Sequence, residues 1–438
     1  MLMSGKRMPH NLSLYLILIS LILLCVIVSG CVTSSTVNDD KKIVIWGYDS
    51  SADIAEKAVE IYKEEHPDSI YDFEVVKLGQ DDMVEKFKIY LATGSLDSLP
   101  DIVYDEDYNF LEYMTYYGEY FVDLTPFIES DDYPQFKIIN VNYDGKIYAL
   151  PYDCGTGVLF YRIDLIEQAG YGEEDMANLT WEEYIEIGKK VKEVTGVDML
   201  TIIPEGDMEG RLLYQSAGTW FFDQDGNANI KDNKAFEDAI NTLKSAFDAG
   251  IVYKANSWDD MIAAISNQKI ASLVGGSWWA SIISSYDSQS GLWRIAEMPR
   301  MTGSDNYSSY SNLGGGNWFV LNKSNKDFAA MFAVEMFGDN KEVANFAALN
   351  TYIIPTNKNM MNYLIEIDNG SSFFGGQKVV TFMCSTVPKI KPVKYGLHTY
   401  EITYTIGENA GDYINGKMTL EETLTQMQLA TEKVVTSN

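Results

Sequence analysis

Lys42-Ile43-Val44-Ile45-Trp46 is a short β-branched run, and the pattern leading away from it decides the fold. Ile54, Ala58, Ile61 and Tyr62 follow at helical spacing and stop at Pro67, which cannot continue a helix. A second strand is predicted at 71–77. Then come a helix carrying Val84, Phe87 and Leu91, a stop at Gly94 and a third strand at 102–104. Strand, helix, strand, helix, strand is the repeating unit of a parallel sheet, so the fold class is α/β.

Asp144-Gly145-Lys146 turns the chain into a strand at 147–150, and a second α/β set begins beyond Pro151. Thr180-Trp181-Glu182-Glu183 has the spacing of a capping box and opens a helix with Tyr184, Ile187 and Val191 on one face. A strand is predicted at 199–203. A helix face of Phe236, Ile240, Leu243 and Phe247 ends at Gly250, and a strand at 270–274 runs into Gly275-Gly276-Ser277-Trp278-Trp279. Gly314-Gly315-Gly316 precedes a strand at 317–321, and the last long helix covers 420–434.

The 438 residues, at about 150 per domain, suggest two or three domains. Hydrophobic residues make up 46% and charged residues 22%, which excludes wholesale disorder. Acidic residues outnumber basic ones 63 to 33, for a net charge of -30. Nucleic acid is therefore excluded as the default partner, because phosphate binding needs clustered Lys and Arg. The five arginines (Arg7, Arg162, Arg211, Arg294 and Arg300) also disfavour a strongly anionic ligand. Three histidines and four cysteines are too few and too scattered for a zinc site, and neither metal nor cofactor is expected. Aromatics reach 13%, with 29 tyrosines, and point to contact with something neutral.

Lys6 and Arg7 precede an apolar run from Leu12 to Val28 that ends in Val28-Ser29-Gly30-Cys31. Basic, apolar and small-residue regions in that order match a secretory signal at 1–30. A cysteine directly after Ser-Gly is the lipobox arrangement of exported lipoproteins, which makes Cys31 the lipid attachment site on the outer side of the cytoplasmic membrane. Residues 31–41 then form a polar tether. Cys154 and Cys384 could pair in an oxidising compartment, but two buried free thiols are the favoured state, since spacing alone cannot establish disulfide geometry.

Eight segments recur in one order after the lipobox: IVIWGYDS, PDIVYDEDY, GKIYALPYDCGTGVLFYR, TWEEYIEIGKKV, GGSWWASI, GGGNWFVLNKSNKDFAAMFAVEMF, YIIPTN and GDYINGKMTLEETL. Together they resemble the extracellular solute-binding proteins of carbohydrate ABC importers, the group containing maltose-, lactose- and oligosaccharide-binding lipoproteins. The resemblance covers residues 42 to 436. It implies a two-lobed periplasmic-binding-protein fold with a hinge and a ligand cleft between the lobes. The first lobe would be 42–151 plus 298–340, and the second 152–297 plus 341–438. It also implies a non-catalytic receptor that takes a neutral di- or oligosaccharide to permease subunits, works as a monomer, and meets the membrane only through its lipid. The alternatives are an exported carbohydrate-active enzyme, or a receptor of the same fold for a polyol or peptide.

Sugar hydroxyls need hydrogen-bonding partners, and their C–H faces suit aromatic rings. Carboxylates and aromatics meet where strands end, the side of an open α/β sheet that faces ligand. Tyr48 and Asp49 follow the first strand, and Asp105, Glu106, Asp107 and Tyr108 follow the third. Asp153, just past Pro151, lies where the family's chain crosses between lobes and is the strongest carboxylate candidate. Trp278 and Trp279 stand where the resembling family stacks a tryptophan on sugar, and one of the two is expected in the core. Gly316, Asn317 and Trp318 read as a bulge or as a close backbone approach to ligand. Tyr395 and Tyr400, flanking His398, lie in the late segment where maltose-binding relatives carry stacking aromatics, although no aligned tryptophan is present. Trp181 is assigned to packing. Asp223-Gln224-Asp225-Gly226-Asn227 lacks the closing glutamate of a calcium loop and reads as a polar turn. Asp105 and Asp107 could be imagined as a glycosidase pair, but no matched acid and nucleophile accompanies them.

Overall fold

The computed structural model describes residues 41–206 and 208–436. The signal, the lipobox with Cys31 and nearly all of the tether lie outside the described residues.

The first sheet runs Asp72–Leu78, Lys42–Tyr48, Ile102–Glu106, Gly316–Val320, Ala149–Pro151. Lys42–Tyr48 pairs in parallel with Ile102–Glu106, placing Ile45 beside Ile102 and Trp46 beside Val103. Gly316–Val320 runs antiparallel to both of its neighbours, so Asn317 stands between Asp105 on one side and Pro151 on the other. The helix Asp49–Glu65 buries Ile54, Ala55, Ala58, Ile61 and Tyr62 against the sheet. Burying each large aliphatic side chain is worth about 1.5–3 kcal/mol. The helix Gln80–Thr93 adds Met83, Phe87 and Leu91 and ends on Gly94 at φ 64°, the left-handed conformation that glycine adopts without strain.

The second lobe carries an antiparallel sheet of three strands, Ser272–Gly276, Gly157–Arg162 and Trp293–Glu297. Gly157–Arg162 is its centre and is buried along its whole length. Buried on both faces, it lacks the alternation that marks a half-exposed strand. Beside it, Leu200–Ile202 pairs in parallel with Val252–Lys254, and Asp198 bridges Ile270 in parallel. The carboxyl ends of these strands therefore point the same way as that of Ser272–Gly276. The capping box forms as its spacing predicts: Thr180 Oγ1 accepts from Glu183 N at 3.2 Å, and Glu183 Oε2 accepts from Thr180 N at 2.8 Å. Trp181 is buried against Tyr184.

Packing locates the crossovers. Met298, Met301, Tyr307 and Leu313 lie in the core of the second lobe, while Trp318 and Phe319 lie in that of the first. Between Leu313 and Trp318 the chain therefore passes from one core to the other. Val343 and Ala347 pack in the first core, Ala348 packs in the other, and Ile353 again packs against the first. At the crossings Asp153–Cys154 pairs with Ile354–Pro355, and Thr156 bridges Asn312. Two glycines make this bundle possible. A Cβ on Gly155 would stand 1.9 Å from the Leu313 carbonyl oxygen, and Gly315 combines φ 82° with a Cβ position 2.6 Å from Cys154 Cα. Cys154 and Cys384 are both buried free thiols, and among the described residues no helix is long and apolar enough to cross a membrane.

Candidate functional site between the lobes

Tyr108 is where the two lobes meet. It follows the strand Ile102–Glu106 of the first lobe, yet its ring sits in the core of the second. It stacks on Trp220 at 5.9 Å with 9° between planes, meets Tyr395 edge-on at 4.7 Å, and lies 5.3 Å beneath the Arg211 guanidinium. Trp220 and Tyr395 also contact each other at 4.9 Å. Arg211 and Trp220 escape sequence reading. The available signals were a rare arginine placed soon after the strand Leu200–Ile202 and an aromatic run, Trp220-Phe221-Phe222.

The predicted carboxylates cluster behind Tyr108, held by their own lobe. Asp107 Oδ1 accepts from Lys137 Nζ at 2.7 Å and from Asn317 Nδ2 at 2.6 Å, and the Asp107 and Lys137 side chains are 1% and 0% exposed. Asp105 Oδ2 accepts from Tyr113 at 2.5 Å and from Asn109 at 3.1 Å. Asp153 Oδ1 accepts from the Tyr104 hydroxyl at 2.7 Å and from Gly316 N at 2.8 Å, which places it at the crossovers. Burial pushes the Asp105 carboxyl up to about 6 despite the bonds from Tyr113 and the Glu106 amide. Glu106 is only partly buried by surface area, yet desolvation pushes its carboxyl up to about 7, opposed by Arg211. Asp107 is also raised by burial, with Lys137 opposing.

The remaining candidates divide. Trp278 is partly exposed and donates Nε1–H to Leu313 O at 3.0 Å; a Cβ on neighbouring Gly314 would stand 3.7 Å from that nitrogen and 3.2 Å from Glu106 Oε1. Trp279 is buried in the second lobe, 5.0 Å from Trp278. Trp318 is fully buried and stacks on Phe337 at 4.0 Å. A Cβ on Gly316 would stand 2.6 Å from Asp105 O and from Tyr104 Cζ, so the close approach there is to the chain's own strand. Tyr48 is buried edge-on to Tyr104 at 5.2 Å, whereas Asp49 is exposed in the first turn of the helix Asp49–Glu65, at φ 43°. Tyr400 reaches from the second lobe to Asp81 of the first, its hydroxyl 2.8 Å from Oδ1. Asp223 folds its loop locally, Oδ1 accepting from the amides of Asp225 and Asn227 at 2.9 Å each.

Several buried polar atoms in this region make no hydrogen bond within the protein: Asp107 Oδ2, Asn317 Oδ1 and Trp220 Nε1. Such atoms cost free energy when buried; others without a partner, among them Trp181 Nε1 and Thr423 Oγ1, lie away from the stacked rings. The rings of Tyr108, Trp220 and Tyr395 are themselves buried and packed on one another, with Trp220 stacked on both Tyr108 and Phe221.

A family model described as bacterial extracellular solute-binding protein matches residues 57–367. The chain is 31% identical over 384 residues to a lactose-binding protein of Rhizobium radiobacter, covering 86% of this chain and 89% of that protein. Its fold is similar to that of the GacH receptor of Streptomyces glaucescens, solved unliganded and with acarbose, at a TM-score of 0.74 and 20% identity over 90% of this chain and 98% of that one. It is similar also to the galacto-N-biose-/lacto-N-biose I-binding protein of Bifidobacterium longum, at 0.72 and 18% over 90% and 97%.

Proposed function

The chain belongs to the bacterial extracellular solute-binding proteins, binding proteins rather than enzymes, and from that premise we propose that it captures a neutral di- or oligosaccharide for an ABC importer. The sugar would lie between the lobes against Tyr108, Trp220 and Trp278, with hydroxyls on Asp107, Asn317 and Trp220 Nε1. The observation that carries this reading is the set of unpartnered buried polar atoms set among stacked rings. Lactose is the first sugar to test, because the lactose-binding relative matches most of both chains.

The lobes would move nearly rigidly about the crossovers at Gly155 and Gly314–Gly315, and sugar that touches both lobes would shift the population towards the closed form. The closed form would offer one surface from each lobe to the permease. Cys31, lipidated, would hold the protein to the outer face of the membrane through the tether, and Cys31→Ser should release it; unchanged retention would count against the anchor.

Titration calorimetry against lactose, other neutral di- and oligosaccharides and a uronate tests the reading. We expect one-to-one binding of a neutral sugar without product formation. Binding of the uronate alone, or turnover of any sugar, would overturn it.

A further inference from the structure

Away from the ring cluster, and next to the Tyr400–Asp81 bond, an ion pair also joins the lobes. Lys88, on the helix Gln80–Thr93 of the first lobe, places Nζ 2.9 Å from Glu112 Oε2 and 2.9 Å from Glu401 Oε1. Glu112 belongs to the first lobe, on the helix Phe110–Tyr117; Glu401 belongs to the second, on the helix Thr399–Ile414. Lys88 is 20% and Glu112 12% exposed, so water screens this pair only in part; Glu401 is 45% exposed. Burial lowers the Lys88 ammonium's proton affinity, but the two carboxylates more than reverse this and hold it above the ordinary lysine range. Glu401, correspondingly, is held below the usual carboxylate range by Lys88 against its own burial.

His398 lies on the same spot, Nδ1 3.8 Å from Glu112 and 3.9 Å from Glu401. The ligand atoms of Glu112, His398 and Glu401 all fall within 4.8 Å of one another. A divalent cation could use that geometry, but an ammonium already stands between both carboxylates.

We propose that Lys88 is a closure latch: its ammonium, shared between Glu112 of its own lobe and Glu401 of the other, favours the closed arrangement without touching the sugar. The proposal rests on the lobes moving and not on which sugar they enclose. Opening the lobes separates Lys88 from Glu401 and leaves the Lys88–Glu112 pair intact, so the bridge to Glu401 counts in one state only. A contact counted in one state multiplies the closed-to-open ratio, and the apparent affinity for sugar scales with the binding-competent fraction.

The test compares wild type with Lys88→Met and Glu401→Gln, one variant in each lobe, after circular dichroism shows that both are folded. Radius of gyration by small-angle scattering is measured without sugar, and affinity for the best neutral sugar by calorimetry. If the sugar-free protein is mainly closed, both variants should expand; if it is mainly open, both should bind about threefold to tenfold more weakly, the size expected of a half-screened ion pair. The exchange Lys88→Glu with Glu401→Lys keeps one ammonium between two carboxylates and should restore wild-type behaviour. Raising salt should move wild type towards the variants. Unchanged radius and affinity in both variants would overturn the latch, as would expansion of the wild type on adding a chelator, which would make a metal the closing cation. Should no sugar bind the wild type, the function proposed above fails; the salt series and the sugar-free scattering comparison then decide the latch alone, and an unchanged radius in both variants overturns it.

Discussion

Asp105, Asp107 and Asp153, on what we propose is the first lobe's wall of the cleft, are each held by at least two partners from their own lobe. Facing them, Trp220 and Tyr395 of the second lobe are placed by ring packing, and Trp278 by packing and one bond to Leu313. Directional bonds fix a carboxylate to a few tenths of an ångström, so the first wall is organised before ligand arrives. Ring packing depends on area and tolerates small shifts, so the second wall can adjust as the lobes close. Orientation of hydroxyls would come from one side and adaptable contact from the other.

The sharpest way to break this contrast is Lys137→Met. It leaves the Asp107 carboxylate buried without its cation and should cost about 3–5 kcal/mol of stability. Urea denaturation measures it, and a loss below about 1 kcal/mol would show that the polar wall is looser than its geometry implies. Trp278→Ala tests the other wall. Sugar affinity should fall by about 1–3 kcal/mol if the ring is a stacking platform, with stability changed less than in Lys137→Met; calorimetry showing normal binding would remove Trp278 from the site.

The smallest effect sits between the walls. Glu106 has its carboxyl at about 7 when folded against an ordinary 4.5, so the folded state binds the extra proton. Stability therefore falls as pH rises through that window and levels off above it. Asp105, at about 6, has the same sign, and so do Asp107 and Asp153, both raised by burial; the Glu106 share is what its own substitution removes. Glu106→Gln should flatten the thermal midpoint there, a change of order 1 kcal/mol for a partly solvated group. A profile that keeps its slope would assign the proton elsewhere.

What could be read from the chain alone follows from range. The helix after Lys42–Tyr48 and the Thr180–Glu183 capping box are local, and spacing was enough to find them. Gly157–Arg162, buried on both faces, has no alternation to betray it, and the return crossover near 314 depends on which core claims Met298 and Leu313. Asp105, Asp107 and Tyr108 of the proposed site are polar residues that end a buried strand, a pattern the sequence displays. Arg211 and Trp220 were not legible there, because their place beside Tyr108 depends on how the two lobes meet in space.

The order of the first sheet has a consequence for how the molecule comes into being. A chain made from its amino terminus has Ile102–Glu106 and Ala149–Pro151 early, but the strand that must lie between them, Gly316–Val320, arrives only after nearly the whole body of the second lobe. Until then two strands face a gap, with unpaired backbone on both sides and Tyr104 and Leu150 lacking the Trp318 that stands opposite them. Non-local pairing of this kind closes slowly, since the loop entropy is lost before the contacts reward it. Neither lobe can mature as a finished module ahead of the other, and a chain interrupted before Gly316 carries an open seam through its first sheet rather than a smaller working domain.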